Sequence, residues 1–209
     1  ATSSNPLKVL LAIRENPIFV KHLRSRLRRS QAMPAAVVVL VLMLCIAYGG
    51  YELNGFKTGG VHGTLLVLQS ILLAIMGATQ IGSAVGGARE SGIMDYHRVT
   101  PMSPLALAVG FFVGAPIREY LLWAITLPLS LFCVSQEAPD ITGWLSIQVV
   151  FFLSTWMLHA LALLTALTTK KPKVGGRGMI GLVVFLFIFG GNIGFFAVSR
   201  ATRMVGQNP

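Results

Sequence analysis

Five predominantly apolar stretches divide this chain: Ala32–Gly50, Thr64–Ala88, Leu105–Val134, Trp144–Leu167 and Met179–Ser199. Each is long enough to cross a hydrocarbon layer of ~30 Å, for which a helix needs roughly 20 residues. The expected fold class is therefore all-α, a polytopic transmembrane helical bundle with about five spans and an N-terminal amphipathic interfacial helix. Composition agrees: 54% of residues are hydrophobic and only 11% charged, against about a quarter charged in soluble domains. Two regions follow, a basic arm over 1–31 and a transmembrane domain over 32–209.

The net charge of +10 does not point to nucleic acid. Lys8, Arg14, Lys21, Arg24, Arg26, Arg28 and Arg29 precede the first span, and Lys170, Lys171, Lys173 and Arg177 sit between the fourth and fifth. Basic residues flanking spans are what the positive-inside rule produces. Counted by loop, they place the N-terminus, the 89–104 loop and the Lys170 loop in the cytoplasm and the C-terminus outside. A multi-pass protein of the cell's inner (cytoplasmic) membrane is expected. Residues 1–31 have no apolar core ahead of the basic cluster, so they are not read as a signal peptide.

Within the arm, Asn16-Pro17 reads as a helix N-cap followed by proline at the first helical position. Phe19, Leu23 and Leu27 then recur every four residues, while Arg24 and Arg28 cover another face. Such a helix suits the headgroup layer of anionic lipids. The third apolar stretch carries Pro116 and, near its middle, the pair Arg118-Glu119. Proline breaks or kinks a helix, and charge at membrane depth is normally paired or faces protein or water. A two-part element is expected, an interfacial or re-entrant piece over 105–115 and a crossing from about Tyr120; a polar site in a transport path is the alternative.

Catalytic signatures are missing. No Gly-x-x-x-x-Gly-Lys-Ser/Thr phosphate loop occurs, so the chain is not expected to hydrolyse ATP. His22, His62, His97 and His159 have no ligand partner at helical spacing, so no metal site is expected. His159, deep in a span, is either a hydrogen-bonded interhelical residue or a haem or chlorin ligand. Cys45 and Cys133 read as small buried hydrophobes. Glycines 77, 82, 86 and 87, with 190, 191 and 194, would let helices approach closely, and Gln69, Gln80 and Asn192 need partners inside a bundle.

One polar passage between apolar stretches remains, from Arg89 to Pro104. Its Glu90, Gly92, Ile93-Met94, Asp95 and Thr100-Pro101-Met102-Ser103 resemble the signature of ABC exporter permeases of the second type. The arm from Asn16 to Arg29 is similar to that family's amphipathic connecting helix, and Gly114–Tyr120 falls where its third span begins. The resemblance implies a permease subunit of an ATP-driven exporter, working with a second permease copy. A separate ATPase subunit would carry ATP and Mg, with no cofactor in this chain, and would dock on the coupling helix formed by Glu90, Gly92, Ile93, Met94, Asp95, Tyr96, His97, Arg98 and Thr100. The alternative is a non-catalytic structural membrane subunit of a respiratory or photosynthetic complex, derived from a permease.

Overall fold

The computed structural model describes residues 16–54, 59–94, 103–137 and 141–169, and among them helix is the only regular structure. A short helix α1 (Pro17–Arg26) leads into α2 (Arg29–Asn54). The second span is continuous but not uniform: α3 (Gly59–Gln69), a π-helical segment (Ser70–Met76) and α4 (Gly77–Glu90). After the polar loop come α5 (Pro104–Gly114), α6 (Ile117–Glu137) and α7 (Ile141–Thr168). Four helices, over Arg29–Glu52, Val61–Glu90, Ile117–Ser135 and Ile141–Thr168, are long and apolar enough to cross a membrane. The fifth apolar stretch lies outside the described residues.

Local chemistry accounts for the boundaries. Asn16 caps α1, its side-chain oxygen accepting from the amides of Ile18 and Phe19 at 3.0 and 3.3 Å. Ser103 caps α5 by accepting from the amide of Ala106 at 3.2 Å. Each cap is followed by proline at the first helical position, where its missing N–H costs nothing. The third apolar stretch is indeed in two parts, broken at Ala115–Pro116. Pro116 has no amide to bond back into α5, so the chain starts a new helix there.

The second span is the axis of the bundle. Its α4 packs most extensively on α7, while α3 packs on α6 and α2. Two apolar clusters result. One joins Ile81, Val85 and Ala88 to Phe111, Ala162 and Ala166. The other joins Val39 and Met43 to Leu65, Leu68, Leu72, Leu122 and Cys133.

A polar seam through the bundle and a fixed root for the loop

Beside the two apolar clusters lies a series of buried and half-buried polar contacts that together tie the second span, α6 and α7 to one another. Gln148 Nε2 donates to Gln69 Oε1 at 3.2 Å, Gln69 Nε2 donates to Thr126 Oγ1 at 2.9 Å, and Thr126 Oγ1 donates to the Trp123 carbonyl at 2.7 Å. Three helices are thus joined by one directed chain of hydrogen bonds. Nearer the start of the second span, Trp144 Nε1 donates to Ser130 Oγ at 3.0 Å, and Ser130 Oγ lies 3.3 Å from His62 Nδ1. Buried polar groups are costly unless hydrogen-bonded, so these pairings fix which helix faces which.

His159 is the centre of the seam. It is fully buried, with Nε2 at 3.0 Å from the Leu73 carbonyl and Nδ1 at 3.1 Å from the Tyr120 hydroxyl. A carbonyl can only accept, so Nε2 carries the proton and Nδ1 accepts from Tyr120. Both ring nitrogens are engaged, so His159 joins α7 to the second span and to α6. Leu73 lies in the π-helical segment, where the ladder shifts from i−4 toward i−5 partners. An imidazole bonded to a carbonyl of that segment is one of the ways a helical ladder is perturbed. Gly77 completes the fit, since a Cβ there would overlap the His159 ring.

Arg118 and Glu119 pair with each other through one carboxylate oxygen. The guanidinium donates to Glu119 Oε1 from Nη2 at 2.7 Å and from Nε at 3.2 Å. They sit in the first turn of α6, where an acid is favoured by the helix dipole. Glu119 is fully buried, and its Oε2 has no partner among the described residues. The carboxylate shares a helix face with Leu122, Thr126, Ser130 and Cys133, all buried. That face follows the 3–4 residue spacing of a helical stripe and extends the polar seam.

The arm is held by protein as well as by its own cap. Asn16 Nδ2 donates to the Ala106 carbonyl, and Ile18 is buried against α5. A Cβ on Gly110 would lie 2.9 Å from Ile18 Cβ, and one on Gly114 would lie 3.2 Å from Phe19 Cα. These two glycines, four residues apart, form the seat of α1. Phe19, Leu23 and Leu27 are half-buried, whereas Arg24 and Arg28 are exposed. The His22 ring meets Phe111 edge-on at 5.6 Å. Burial first, then the nearby charges of Arg26 and Lys21, push its pKa down to about 4.

The polar loop has a well-defined root. The helix α4 ends at Glu90, Ser91 caps it with its amide on the Gly87 carbonyl at 3.0 Å, and Gly92 follows at φ +71°. That left-handed conformation is one glycine adopts without strain. Arg89 turns away from the loop: its Nη1 donates to the carbonyls of Ala166 at 2.8 Å and Thr169 at 2.7 Å, with Leu167 at 3.3 Å. A cation on the final carbonyls of α7 is favourable in charge and geometry. Glu90 is exposed, Ile93 is half-buried, and Met94 packs against the chain's own apolar cluster. Asp95, Tyr96, His97, Arg98 and Thr100 lie outside the described residues.

Sequence reasoning had singled out Gln69, His159, Arg118, Glu119 and Gly77, and all of them fall on the seam. It missed Thr126, Ser130, Gln148 and Tyr120, whose spacing along α6 and α7 carries a weak signal, and Gly110 with Gly114, whose four-residue spacing was readable. No curated protein and no solved structure matches the chain. The profile of one family, described as ABC-2 type transporter, matches residues 18–196. That match runs from the docked arm through every described helix of the bundle, and the chain belongs to the ABC-2 type transporter family as a transmembrane permease component.

Proposed function

We propose that this chain forms the membrane path of an ATP-driven exporter and receives its driving force from a separate ATPase docked on the 89–104 loop. A second permease copy would complete the path, in the inner membrane with the arm and the loop on the cytoplasmic side. The observation that carries this reading is the root of the loop. Gly92 launches it directly from α4, and Arg89 ties that same end to the last carbonyls of α7. A push on the loop would therefore act on two long helices at once. It would travel along α4 to the π-helical segment, where His159 and Tyr120 connect it to α7 and α6.

In this mechanism Met94 anchors the loop to the bundle, and the residues beyond it meet the ATPase. Tyr96 is the strongest candidate for a buried contact, because aromatic side chains dominate interface energetics. Asp95, His97 and Arg98 would form the polar rim. The exposed Arg24 and Arg28 would meet anionic headgroups, each contributing about 1 kcal/mol near such a surface. Tyr96→Ala should weaken ATPase association by ~1 kcal/mol or more, about fivefold, while membrane insertion and bundle stability stay unchanged. Undiminished co-purification and transport in that variant would sink the docking role.

A further inference from the structure

We propose that the cleft between α1 and the loop end of the second span is a specific site for one anionic phospholipid, its phosphate held by Lys21 and its chains leaving past Gly87 and Ser83. The cleft encloses about 260 Å³. Lys21 and His22 form its wall on α1, Ser83, Gly87 and Ser91 its wall on the second span, and Ile93 stands where the loop begins. At about 30 Å³ per water, the space takes a phosphate with a glycerol but not two acyl chains, which must run outside it.

Electrostatics selects an anion. No acidic side chain lines the cleft, and the charges of Arg26 and Lys21 both bear on the His22 ring. Lys21 is exposed, so its ammonium donors remain at the mouth. The Ser91 hydroxyl donates to the Gly87 carbonyl at 2.8 Å. Its proton is used there, so toward a ligand the oxygen accepts and suits a hydroxyl on the headgroup. A headgroup ending in an ammonium would set its charge against Lys21 and Arg26. The grooves beside Gln148 and beside Ser146 have no charged side chain on their walls and offer nothing to a charged headgroup.

Depth and shape fit a lipid better than a free phosphate. Ser91 follows the last residue of the span Val61–Glu90, and Ser83 lies eight residues deeper, about 12 Å along the axis. The headgroup layer is only about 5–7 Å thick on each side of the bilayer. The cleft therefore runs from headgroup level down to the first carbons of the chains. Ile18 and Phe111, both buried, supply apolar wall there. Gly87 and Ser83 are exposed and one turn apart, and a Cβ added at Gly87 would meet nothing within 4 Å. That face is an open trough for a chain. A lipid seated in it would touch the arm, the second span and Ile93 together, whatever docks on the loop beyond.

Purified protein in detergent tests the site, with dihexanoyl phosphatidylglycerol, dihexanoyl phosphatidylcholine and inorganic phosphate as probes. The thermal midpoint is the readout, since a ligand of the folded state raises it. Phosphatidylglycerol should raise it saturably, phosphatidylcholine about tenfold more weakly, and phosphate not at all. Lys21→Ala should weaken the phosphatidylglycerol response about tenfold. Gly87→Leu fills the trough without a clash and should abolish the response, with a lipid-free midpoint no lower than the parent's. Arg29→Ala removes the same charge from an exposed position off the cleft wall and should respond as the parent does. Should Gly87→Leu lower the lipid-free midpoint, the contrast between Lys21→Ala and Arg29→Ala decides alone. Equal weakening in those two would overturn the site in favour of diffuse attraction, as would an undiminished response in Gly87→Leu. An equal response to phosphatidylcholine or to inorganic phosphate would overturn recognition of an anionic lipid.

Discussion

The first and second spans are both apolar and both long enough to cross a membrane, yet they play opposite parts. In the most apolar window of the first span 11% of residues are buried inside the bundle, against 56% for the second. The first span is almost wholly aliphatic between Ala35 and Ile46 and touches the rest through Val39 and Met43. The second carries Gln69, Ser70, Gly77, Gly82 and Gly86, and all five are buried. Lipid tails are as apolar as leucine, so apolarity alone gives a helix no reason to choose protein over lipid. Small residues and polar groups supply that reason. Within a membrane the polar minority decides where a helix packs.

The sharpest way to break this contrast is to fill the glycine under His159. Gly77→Leu overpacks the site and displaces the imidazole from both the Leu73 carbonyl and Tyr120. A loss of about 3 kcal/mol is expected, visible as a large drop in thermal midpoint in detergent. A midpoint equal to the parent's would mean that the second span does not depend on this fit. Gln69→Leu comes next. It removes the partner of both Thr126 and Gln148, and interhelical hydrogen bonds in bilayers contribute ~0.6–1.7 kcal/mol each, so a loss of roughly 1–2 kcal/mol should follow. A double-mutant cycle with Thr126→Val should be non-additive, since the two residues share one bond.

A smaller effect is expected at the arm. The folded-state pKa of His22 lies near 4, below its ordinary 6.5, so docking of α1 favours the neutral ring. That contribution is fully present above about pH 6.5 and is lost as pH falls toward 4. A spin label at Ser25→Cys should gain mobility over this window, and His22→Phe, which keeps a ring against Phe111, should flatten the response. Mobility independent of pH in the parent would show that the ring plays no part in docking. The smallest effect belongs to the first span. Leu44, among its most exposed residues, should tolerate Ala with a change within ~0.5 kcal/mol. A drop comparable to that of Gly77→Leu would erase the distinction between the spans.

Much of this architecture was readable from residue order. The four described spans, the cap at Asn16 and the break at Pro116 follow from run length and from proline's missing amide. The π-helical segment was not readable, because Ser70–Met76 has the composition of any apolar helix and its register depends on a histidine more than eighty residues away. The docking of α1 was half readable. Its amphipathic pattern was plain, but Ile18 and His22 meet Gly110 and Gly114 through tertiary contacts that α1 alone does not encode. At the loop, the glycine at 92 was legible as part of the family signature, whereas the turn of Arg89 toward α7 was not. Arginine beside a loop reads equally well as a docking residue until the neighbouring carbonyls are seen.

The π-helical segment has a consequence for how this sequence can vary. A π turn takes up about one residue more than an α turn, so the segment acts as a phase shifter between the two halves of the second span. Upstream of it Gln69 faces α6 and α7, and downstream the stripe of Gly77, Gly82 and Gly86 is buried beside α7. Deleting a single residue anywhere in Ser70–Met76 would let the helix relax to α geometry. Everything from Gly77 to the root of the loop would then keep its facing, because the wide turn already absorbs the extra residue, whereas the same deletion in a purely α-helical stretch would rotate it by about 100°. The loss of one residue in this short window would thus be felt mainly at the Leu73 carbonyl and its contact with His159, while the same loss elsewhere in the second span would turn the whole end that carries the loop.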